Sequence, residues 1–272
     1  DGEGVALPGE GRDERGQLPQ AIAAYRRAVQ LMPAFPDALN NLGNVLREAG
    51  ELDEAVGCYR EAIRLQPSHH HAYNNLGNAM KDRRMLDEAR RCYGTALRLC
   101  PHFAAAHSNL ASLEKERGPK HVAAAVAHYL EAIRIDPYFV ETYANLGNAY
   151  LDAGMLDDAI RCYLATLQLR PDLPHVHCHL ASTYKDVGRI AEAMPHYLAA
   201  VALQPWSPEA LANLIHTCQF LADWTQREPH MAIIEQVVDR QLAEGACPSV
   251  QPFHAFVYPL PHEKLLALAA GC

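Results

Sequence analysis

The sequence lacks the features that several common classes of protein require. It has no run of about 18 apolar residues that could span a bilayer, so no membrane segment is expected. It has no basic cluster, and 24 Lys and Arg residues against 32 Asp and Glu residues leave a net charge of −8, which disfavours nucleic acid as a partner. Its eight cysteines include no Cys-x-x-Cys pair, which argues against a disulfide framework and a zinc module and points to the cytosol or nucleus.

The sequence does contain a repeat. Prolines, tyrosines and alanines each recur 34 residues apart with a single step of 36, and small residues that follow a leucine keep the same period. The prolines are Pro33, Pro67, Pro101, Pro137, Pro171 and Pro205, and the tyrosines are Tyr25, Tyr59, Tyr93, Tyr129, Tyr163 and Tyr197. Two extra residues in the turn at 118–121 explain the longer step. A 34-residue period of this kind is the signature of the tetratricopeptide repeat, a pair of antiparallel helices.

One unit, residues 36–67, shows why the pattern predicts a helical hairpin. Apolar residues three and four apart predict a first helix over 37–49, and Gly50 supplies the left-handed residue that ends it. A second helix is predicted over 53–65, and Gly43 is expected to let the two backbones approach each other. Because one hairpin cannot bury its own apolar face, neighbouring hairpins must stack. The predicted fold is therefore all-α, a right-handed superhelix of tetratricopeptide hairpins with a concave groove.

The repeat divides the chain into three predicted regions. Residues 1–17 are rich in Gly and Pro and are expected to be disordered or non-native, with no helix as far as Gly16. Residues 18–222 are predicted to form about six repeats, the first of which has only its second helix. Residues 223–272 are predicted to be a linker helix and the incomplete start of a catalytic domain. Because the chain begins with Asp1 rather than Met and opens inside a stretch rich in Gly and Pro, it is expected to be a fragment, a processed chain or an engineered chain.

A row of amides marks the candidate binding face. The residue before the repeated leucine is an amide in five of six repeats, namely Asn41, Asn75, Asn109, Asn145 and Asn213, with His179 in the remaining one. We call these six residues the ladder. Because a primary amide both donates and accepts hydrogen bonds, such a row can hold the backbone of an extended peptide without reading its side chains. The alternative is that the amides tie adjacent helices together or cap turns.

Three further patterns favour structural interpretations. A second amide series is interpreted as structural; it consists of Asn44, Asn78 and Asn148. The position before the ladder holds no Lys or Arg, which disfavours a clamp for a C-terminal carboxylate. The run His69-His70-His71 is interpreted as a solvated turn rather than a metal site. No metal-ligand set, phosphate loop or catalytic group is found within the repeats.

The end of the sequence resembles a specific family. The repeats contain the strings NNLGN, SNLAS and ANLGNAY, and they are followed by Pro205-Trp206-Ser207-Pro208, by Ala222-Asp223-Trp224-Thr225 and by PSVQPFHAFVYPL at 248–260. These repeats and this junction resemble those of the protein O-linked N-acetylglucosamine transferases. The Gln-Pro-Phe-His version of the last segment is similar to that of the plant and algal branch.

The resemblance implies an enzyme of the cytoplasm and nucleus that moves N-acetylglucosamine from UDP-N-acetylglucosamine to Ser or Thr hydroxyls, with inversion and without a metal. It implies that the ladder binds extended Ser/Thr-containing protein substrates, with adaptor proteins as further partners and a homodimer through the repeats left open. His254 is the candidate general base by its position in the motif, because the second histidine of the animal members is Phe253 here. The nucleotide-sugar pocket of the family lies beyond Cys272, so this chain alone is expected to bind no cofactor or donor and to be inactive.

Two alternatives stay open at this point. The chain could be a tetratricopeptide scaffold or adaptor with no enzymatic parent, although such a protein has no reason to carry the 248–260 segment. It could also belong to the related plant protein O-fucosyltransferases, which share the layout of repeats followed by a transferase. The fold does not separate these possibilities, because function is determined by the site.

Overall fold

The structure is a computed structural model that describes residues 14–204 and seven single positions further on, namely 207, 210, 213, 214, 217, 236 and 239. Side chains are described from residue 18 onward. Within these residues every regular element is a helix and no strand occurs. The predicted all-α repeat fold is confirmed.

The α-helices alternate in length between 13 and 14 residues after a longer first helix. They are α1 (Glu14–Leu31), α2 (Pro36–Glu48), α3 (Leu52–Leu65), α4 (His70–Asp82), α5 (Leu86–Leu99), α6 (Ala104–Glu116), α7 (Val122–Ile135), α8 (Val140–Asp152), α9 (Leu156–Leu169), α10 (Pro174–Asp186) and α11 (Ile190–Leu203). A short 3-10 helix, Pro119–His121, precedes α7 and contains the extra residues of the 36-residue step.

Each repeat is a hairpin of an A helix and a B helix. The A helices are α2, α4, α6, α8 and α10, and each packs most closely on the B helix that follows it. Helix α1 is a B helix whose A partner does not occur in the described residues. The expectation that no helix reaches Gly16 is wrong, because α1 begins at Glu14. Glu14 and Arg15 are good helix formers, and one glycine costs only about 1 kcal/mol in a helix.

The turn between the A and B helices requires a left-handed residue. Gly50 has φ +83°, as predicted, and Arg84 has φ +60° at the equivalent position of the next repeat. A residue other than glycine is strained in this conformation. Arg84 therefore shows that the packing of the two helices, rather than the preference of the residue, decides the turn.

The chain divides into two compact units, Asp1–Ile135 and Asp136–Cys272, which are described separately. Each unit has its own core, built around the buried B-helix tyrosines and the leucines of the A helices. The tyrosines are Tyr59, Tyr93 and Tyr129 in the first unit and Tyr163 and Tyr197 in the second, all at most 1% exposed. In the first unit α4 also packs directly on the A helices before and after it, α2 and α6.

The small residue of each A helix accommodates a tyrosine ring. A Cβ atom added to Gly43 would lie 2.6 Å from the ring of Tyr59, and one added to Gly77 would lie 2.5 Å from the ring of Tyr93. The predicted need for a small residue is right, but the partner is the aromatic ring of the B helix rather than its backbone.

Candidate functional site

The ladder lies on one face of the A helices. Its six members are all partly buried and so reach the surface, whereas Asn40, Asn74, Ser108 and Cys178, each one residue earlier, are buried. Asn213 is among the single positions described after residue 204, and its carbonyl accepts a hydrogen bond from Thr217 Oγ1 at 2.7 Å. Of these buried residues, Asn40 and Asn74 hydrogen-bond to ladder residues of the next repeat.

In the first unit the two amide positions form one hydrogen-bonded chain. Asn40 Nδ2 donates to Asn41 Oδ1 at 3.3 Å, and Asn75 Nδ2 donates to Asn40 Oδ1 at 3.0 Å. Asn74 Nδ2 donates in turn to Asn75 Oδ1 at 3.2 Å, and Asn109 Nδ2 donates to Asn74 Oδ1 at 2.9 Å. This row of hydrogen bonds therefore crosses three repeats, and it alternates between a ladder amide and a buried amide of the preceding position.

These hydrogen bonds between amides give the ladder of the first unit a structural role. Asn75 donates one N–H to Asn40 of the preceding repeat and accepts one hydrogen bond from Asn74 of its own helix, and Asn74 in turn accepts from Asn109 of the next repeat. A primary amide has two N–H groups and two acceptor lone pairs. Half of the hydrogen-bonding capacity of Asn75 is thus left for a ligand, with the side chain already held in place by the other half.

In the second unit the ladder residue Asn145 has different surroundings. Ala144 stands where the first unit has Asn40 and Asn74, so no amide chain can form, and Asn145 makes no hydrogen bond to another described residue. Asn145 instead lines an open cleft of about 330 Å³ between α8, α9 and α10. Apolar side chains such as Val140 and Leu173 form part of the cleft, and the charged or polar side chains of Glu141, Arg170 and His175 also line it.

A row of ion pairs runs along the A helices of the first unit, one to two turns after the ladder. Arg47 lies 3.0 Å from Asp82 of the next repeat, and Lys81 lies 2.7 Å from Glu116 of the repeat after that. These two cations are therefore neutralised by carboxylates and are poorly suited to capture the terminal carboxylate of a peptide. That a carboxylate clamp is disfavoured stays a prediction.

The second amide series is structural, as predicted. Tyr59 donates its hydroxyl to Asn44 Oδ1 at 2.9 Å, and Tyr93 and Tyr163 donate to Asn78 and Asn148 at 2.7 Å. Burial raises the pKa of Tyr59 to about 12, so its hydroxyl stays protonated and acts as a donor at any physiological pH. These bonds join the A and B helices of one repeat.

The histidine run is not a solvated turn. His69 is 5% exposed, caps α4 by accepting a hydrogen bond from Ala72 N at 3.4 Å, and has its Nε2 atom 3.2 Å from Asp37 Oδ1 without hydrogen-bond geometry. His70 and His71 belong to α4 and contact the ring of Phe103. The prediction of a solvated turn is wrong for His69, which is buried, and for His70, which is partly buried against Phe103, whereas His71 is exposed at the start of α4.

Two of the cysteine thiols in the B helices are chemically quiet. Burial raises the pKa of the Cys92 and Cys162 thiols to about 11, which leaves them protonated and unreactive at neutral pH. No group of three or more His, Cys, Asp or Glu side chains is placed there to hold a metal ion. None of the described helices is long and apolar enough to cross a membrane.

Comparison with known families agrees with this architecture. Matches to the family described as TPR repeat span residues 14–82 and 122–188, which is half of the chain. The chain belongs to the tetratricopeptide-repeat family. Further tetratricopeptide-repeat matches cover residues 70–103 and 174–205.

The segment after the tetratricopeptide repeats matches a different family, described as Glycosyl transferase family 41, over residues 221–271. A stretch of 54 residues is 41% identical to a probable UDP-N-acetylglucosamine–peptide N-acetylglucosaminyltransferase, SEC, of Arabidopsis thaliana, covering 20% of this chain and 5% of that protein. A stretch of 52 residues is 41% identical to the corresponding transferase of Caenorhabditis elegans, covering 19% of this chain and 4% of that protein. The similarity thus spans a small part of these relatives, and it favours the plant protein no more than the nematode one. His254 falls within 221–271 but outside the described residues.

Solved structures resemble the tetratricopeptide repeats in fold. YrrB, a TPR protein with an unusual peptide-binding site, is 22% identical with a TM-score of 0.54, and the similarity covers 71% of this chain and 98% of that one. The protein PilF of Pseudomonas aeruginosa is 18% identical with a TM-score of 0.63, and the similarity covers 94% of this chain and all of that one. At these identities the similarity establishes the fold alone.

Sequence analysis missed two histidine pairs within the tetratricopeptide repeats. His107 Nδ1 of α6 lies 3.1 Å from His128 Nδ1 of α7, and His177 Nδ1 of α10 lies 3.1 Å from His196 Nδ1 of α11. Both pairs join the A and B helices of one repeat, at equivalent positions. The signal was present in the sequence: in each case one histidine stands two residues before the ladder and the other stands directly before the repeated tyrosine.

The histidine pairs make stability depend on pH. Burial, with the charge of the partner imidazole as the second cause, lowers the pKa of His128 and of His196. The unfolded chain therefore binds protons more readily than the folded chain, so this stability is complete above pH about 6.5 and is lost as the pH falls below that value. We expect the thermal midpoint followed by circular dichroism to be lower at pH 5 than at pH 7.5. This difference in midpoint should be smaller in a His128→Ala, His196→Ala variant. It should not vanish, because His70 and His71 also have lowered pKa values and remain in the variant. A difference as large as in the unaltered protein would show that the histidine pairs are not its cause.

Proposed function

We propose that this chain is the substrate-binding repeat region of a protein O-N-acetylglucosaminyltransferase, together with the start of its catalytic region. The observation that carries the proposal is the family 41 match at 221–271 directly after the repeats. A scaffold or adaptor has no physical need for such a segment. The activity is the transfer of N-acetylglucosamine from UDP-N-acetylglucosamine to Ser or Thr of proteins in the cytoplasm and nucleus, with adaptor proteins as further partners.

The ladder gives this proposal a recognition mechanism. An extended polypeptide presents one N–H and one carbonyl per residue, and the half of Asn75 that is left for a ligand can bond either of them. Asn145 offers a whole amide at the edge of a cleft that could receive a substrate side chain. Because each neutral hydrogen bond contributes only about 0.5–1.5 kcal/mol, binding through a few such contacts is weak and tolerant of sequence.

His254 is proposed as the general base that accepts the proton of the substrate hydroxyl. An imidazole with a pKa near its ordinary value of about 6.5 can hold a proton briefly at neutral pH and release it again.

The proposal is tested on the product of the complete gene. Transfer of radiolabelled N-acetylglucosamine to a Ser/Thr-rich peptide is expected, and His254→Ala should lower turnover while leaving peptide binding by the repeats unchanged. Transfer of fucose instead of N-acetylglucosamine would favour a protein O-fucosyltransferase. A product that binds peptides and transfers neither sugar would favour a scaffold, and normal turnover by the variant would remove His254 from the mechanism.

A further inference from the structure

The two histidine pairs share a geometry that a simple helix contact does not need. In each pair two Nδ1 atoms face each other at 3.1 Å, and all four rings are partly exposed. The Nε2 atom of His107 lies 3.1 Å from the carbonyl oxygen of Pro101, and that of His177 lies 3.0 Å from the carbonyl oxygen of Pro171. Both prolines belong to the turn that precedes the A helix.

The proline carbonyl determines which nitrogen carries the proton. A carbonyl oxygen only accepts, so the Nε2 atom of His107 is protonated and its Nδ1 atom presents a lone pair when the ring is neutral. His128 must then donate its Nδ1–H to that lone pair. The same reasoning applies to His177 and His196. Histidines that bind metals typically have one ring nitrogen fixed by a backbone carbonyl or carboxylate while the other faces the ion.

The spacing of the two Nδ1 atoms fits a single metal ion. With metal–nitrogen bonds of about 2.0–2.1 Å, nitrogens 3.1 Å apart subtend an angle of about 95–100° at the ion, between the square-planar and the tetrahedral values. The ion would lie about 1.3 Å to one side of the line that joins the nitrogens, so both rings turn toward that side when it binds. The proton on His128 Nδ1 moves to Nε2, and the ring stays neutral.

The occurrence of the pairs along the repeats provides independent support. In the third and fifth A–B hairpins both positions are histidine, whereas the other hairpins have histidine at neither position. Those other hairpins hold Leu39 with Cys58, Tyr73 with Cys92, and Tyr143 with Cys162. Packing alone therefore tolerates leucine or tyrosine at the first position and cysteine at the second. The histidines occur together, as expected if the two rings act as one unit.

We propose that each pair, His107 with His128 and His177 with His196, is a bidentate imidazole site for a divalent cation of the zinc, nickel or copper type. Imidazole nitrogens prefer these borderline metals to magnesium or calcium. Within the described residues no third ligating side chain completes the site, so water occupies the other coordination positions and the ion exchanges readily. A bound ion joins the A and B helices of its repeat and stabilises that hairpin.

Zinc titration tests the proposal. Calorimetry of the whole chain with ZnCl₂ at pH 7.5 should show two sites that His107→Leu and His177→Leu remove one at a time, with no binding left at either in the double variant. Leucine occupies the first position in the hairpin of Leu39, so the variants should keep their helicity. His70→Ala is the matched control, because it removes an imidazole of α4 and leaves both pairs intact; its zinc stoichiometry at the two sites should be unchanged.

A second measurement does not depend on any substitution. In ¹⁵N spectra of the imidazoles, zinc should move the His128 and His196 protons from Nδ1 to Nε2 while His107 and His177 keep theirs on Nε2. Retention of the Nδ1 protons at saturating zinc would overturn the proposal. So would a zinc stoichiometry that stays the same in the His107→Leu, His177→Leu variant, since the pairs would then be hydrogen bonds between helices and nothing more.

Discussion

Replacing Asn75 by alanine is expected to lower the free energy of unfolding by about 2–4 kcal/mol. The substitution removes the donor to Asn40 and the acceptor of Asn74. Asn40 and Asn74 are 7% and 5% exposed, so water cannot readily replace the lost partner. Each buried polar group left without its hydrogen bond costs about 1–3 kcal/mol, and two are affected here. Urea denaturation followed by circular dichroism measures the loss.

Asn145→Ala is the matched control for this prediction. Asn145 occupies the same ladder position but makes no hydrogen bond to another described residue, so the change in unfolding free energy should stay below about 0.5 kcal/mol. If Asn145 hydrogen-bonds to a substrate peptide at its cleft, this variant should instead weaken the binding of a Ser/Thr-rich polypeptide. An equal loss of stability in both variants would contradict the amide chain as the origin of the effect.

Replacing Gly77 by alanine is expected to cost about 1–3 kcal/mol. The new Cβ would lie 2.5 Å from the ring of Tyr93, which is fully buried and bonded through its hydroxyl to Asn78. The ring must move, and moving it strains the core and weakens that bond. The control is Gly57→Ala in α3, where a Cβ meets no atom within 4 Å. That variant should gain up to about 1 kcal/mol, because alanine is the better helix former.

Two other repeats indicate how the stability lost in Gly77→Ala can be recovered. Two repeats carry alanine at this position, and there serine replaces the asparagine that follows: Ala111-Ser112 and Ala181-Ser182. In the second of these, Ser182 Oγ lies 2.8 Å from the hydroxyl of Tyr197, so serine at this position can hydrogen-bond to the tyrosine of a repeat that carries alanine. Gly77→Ala with Asn78→Ser should therefore recover much of the lost stability. Additive losses in the double variant would show that the two positions are independent.

Several features of the site could have been derived from the residues alone. The structural role of Asn44, Asn78 and Asn148 was predicted and is confirmed by their bonds to the buried tyrosines. The alternative that ladder amides tie adjacent helices together holds in the first unit. The histidine pairs were also visible in the sequence, because His107 stands two residues before a ladder residue and His128 stands directly before a repeated tyrosine.

Other features depend on distances that no local pattern encodes. Asn75 and Asn40 are 35 residues apart, and their contact exists only because α2 packs directly on α4. His69 follows a proline turn and was therefore expected to be solvated, yet it is buried against a residue of the preceding repeat. Neither outcome follows from the composition of the segment, because each depends on which residue of a neighbouring hairpin reaches it.

The sequence by itself determined the helical hairpins, their 34-residue register and the face that bears the ladder. These follow from the spacing of apolar residues, glycines and prolines within one repeat, and such local preferences act before any hairpin packs on another. Only the tertiary structure decided which of the polar side chains hydrogen-bond to other residues of the protein. Asn75 is held by Asn40 of the preceding repeat and by Asn74, whereas Asn145, which follows Ala144, lines a cleft. A hydrogen bond between repeats requires both partners at about 3 Å, and only the stacking of the hairpins brings them that close.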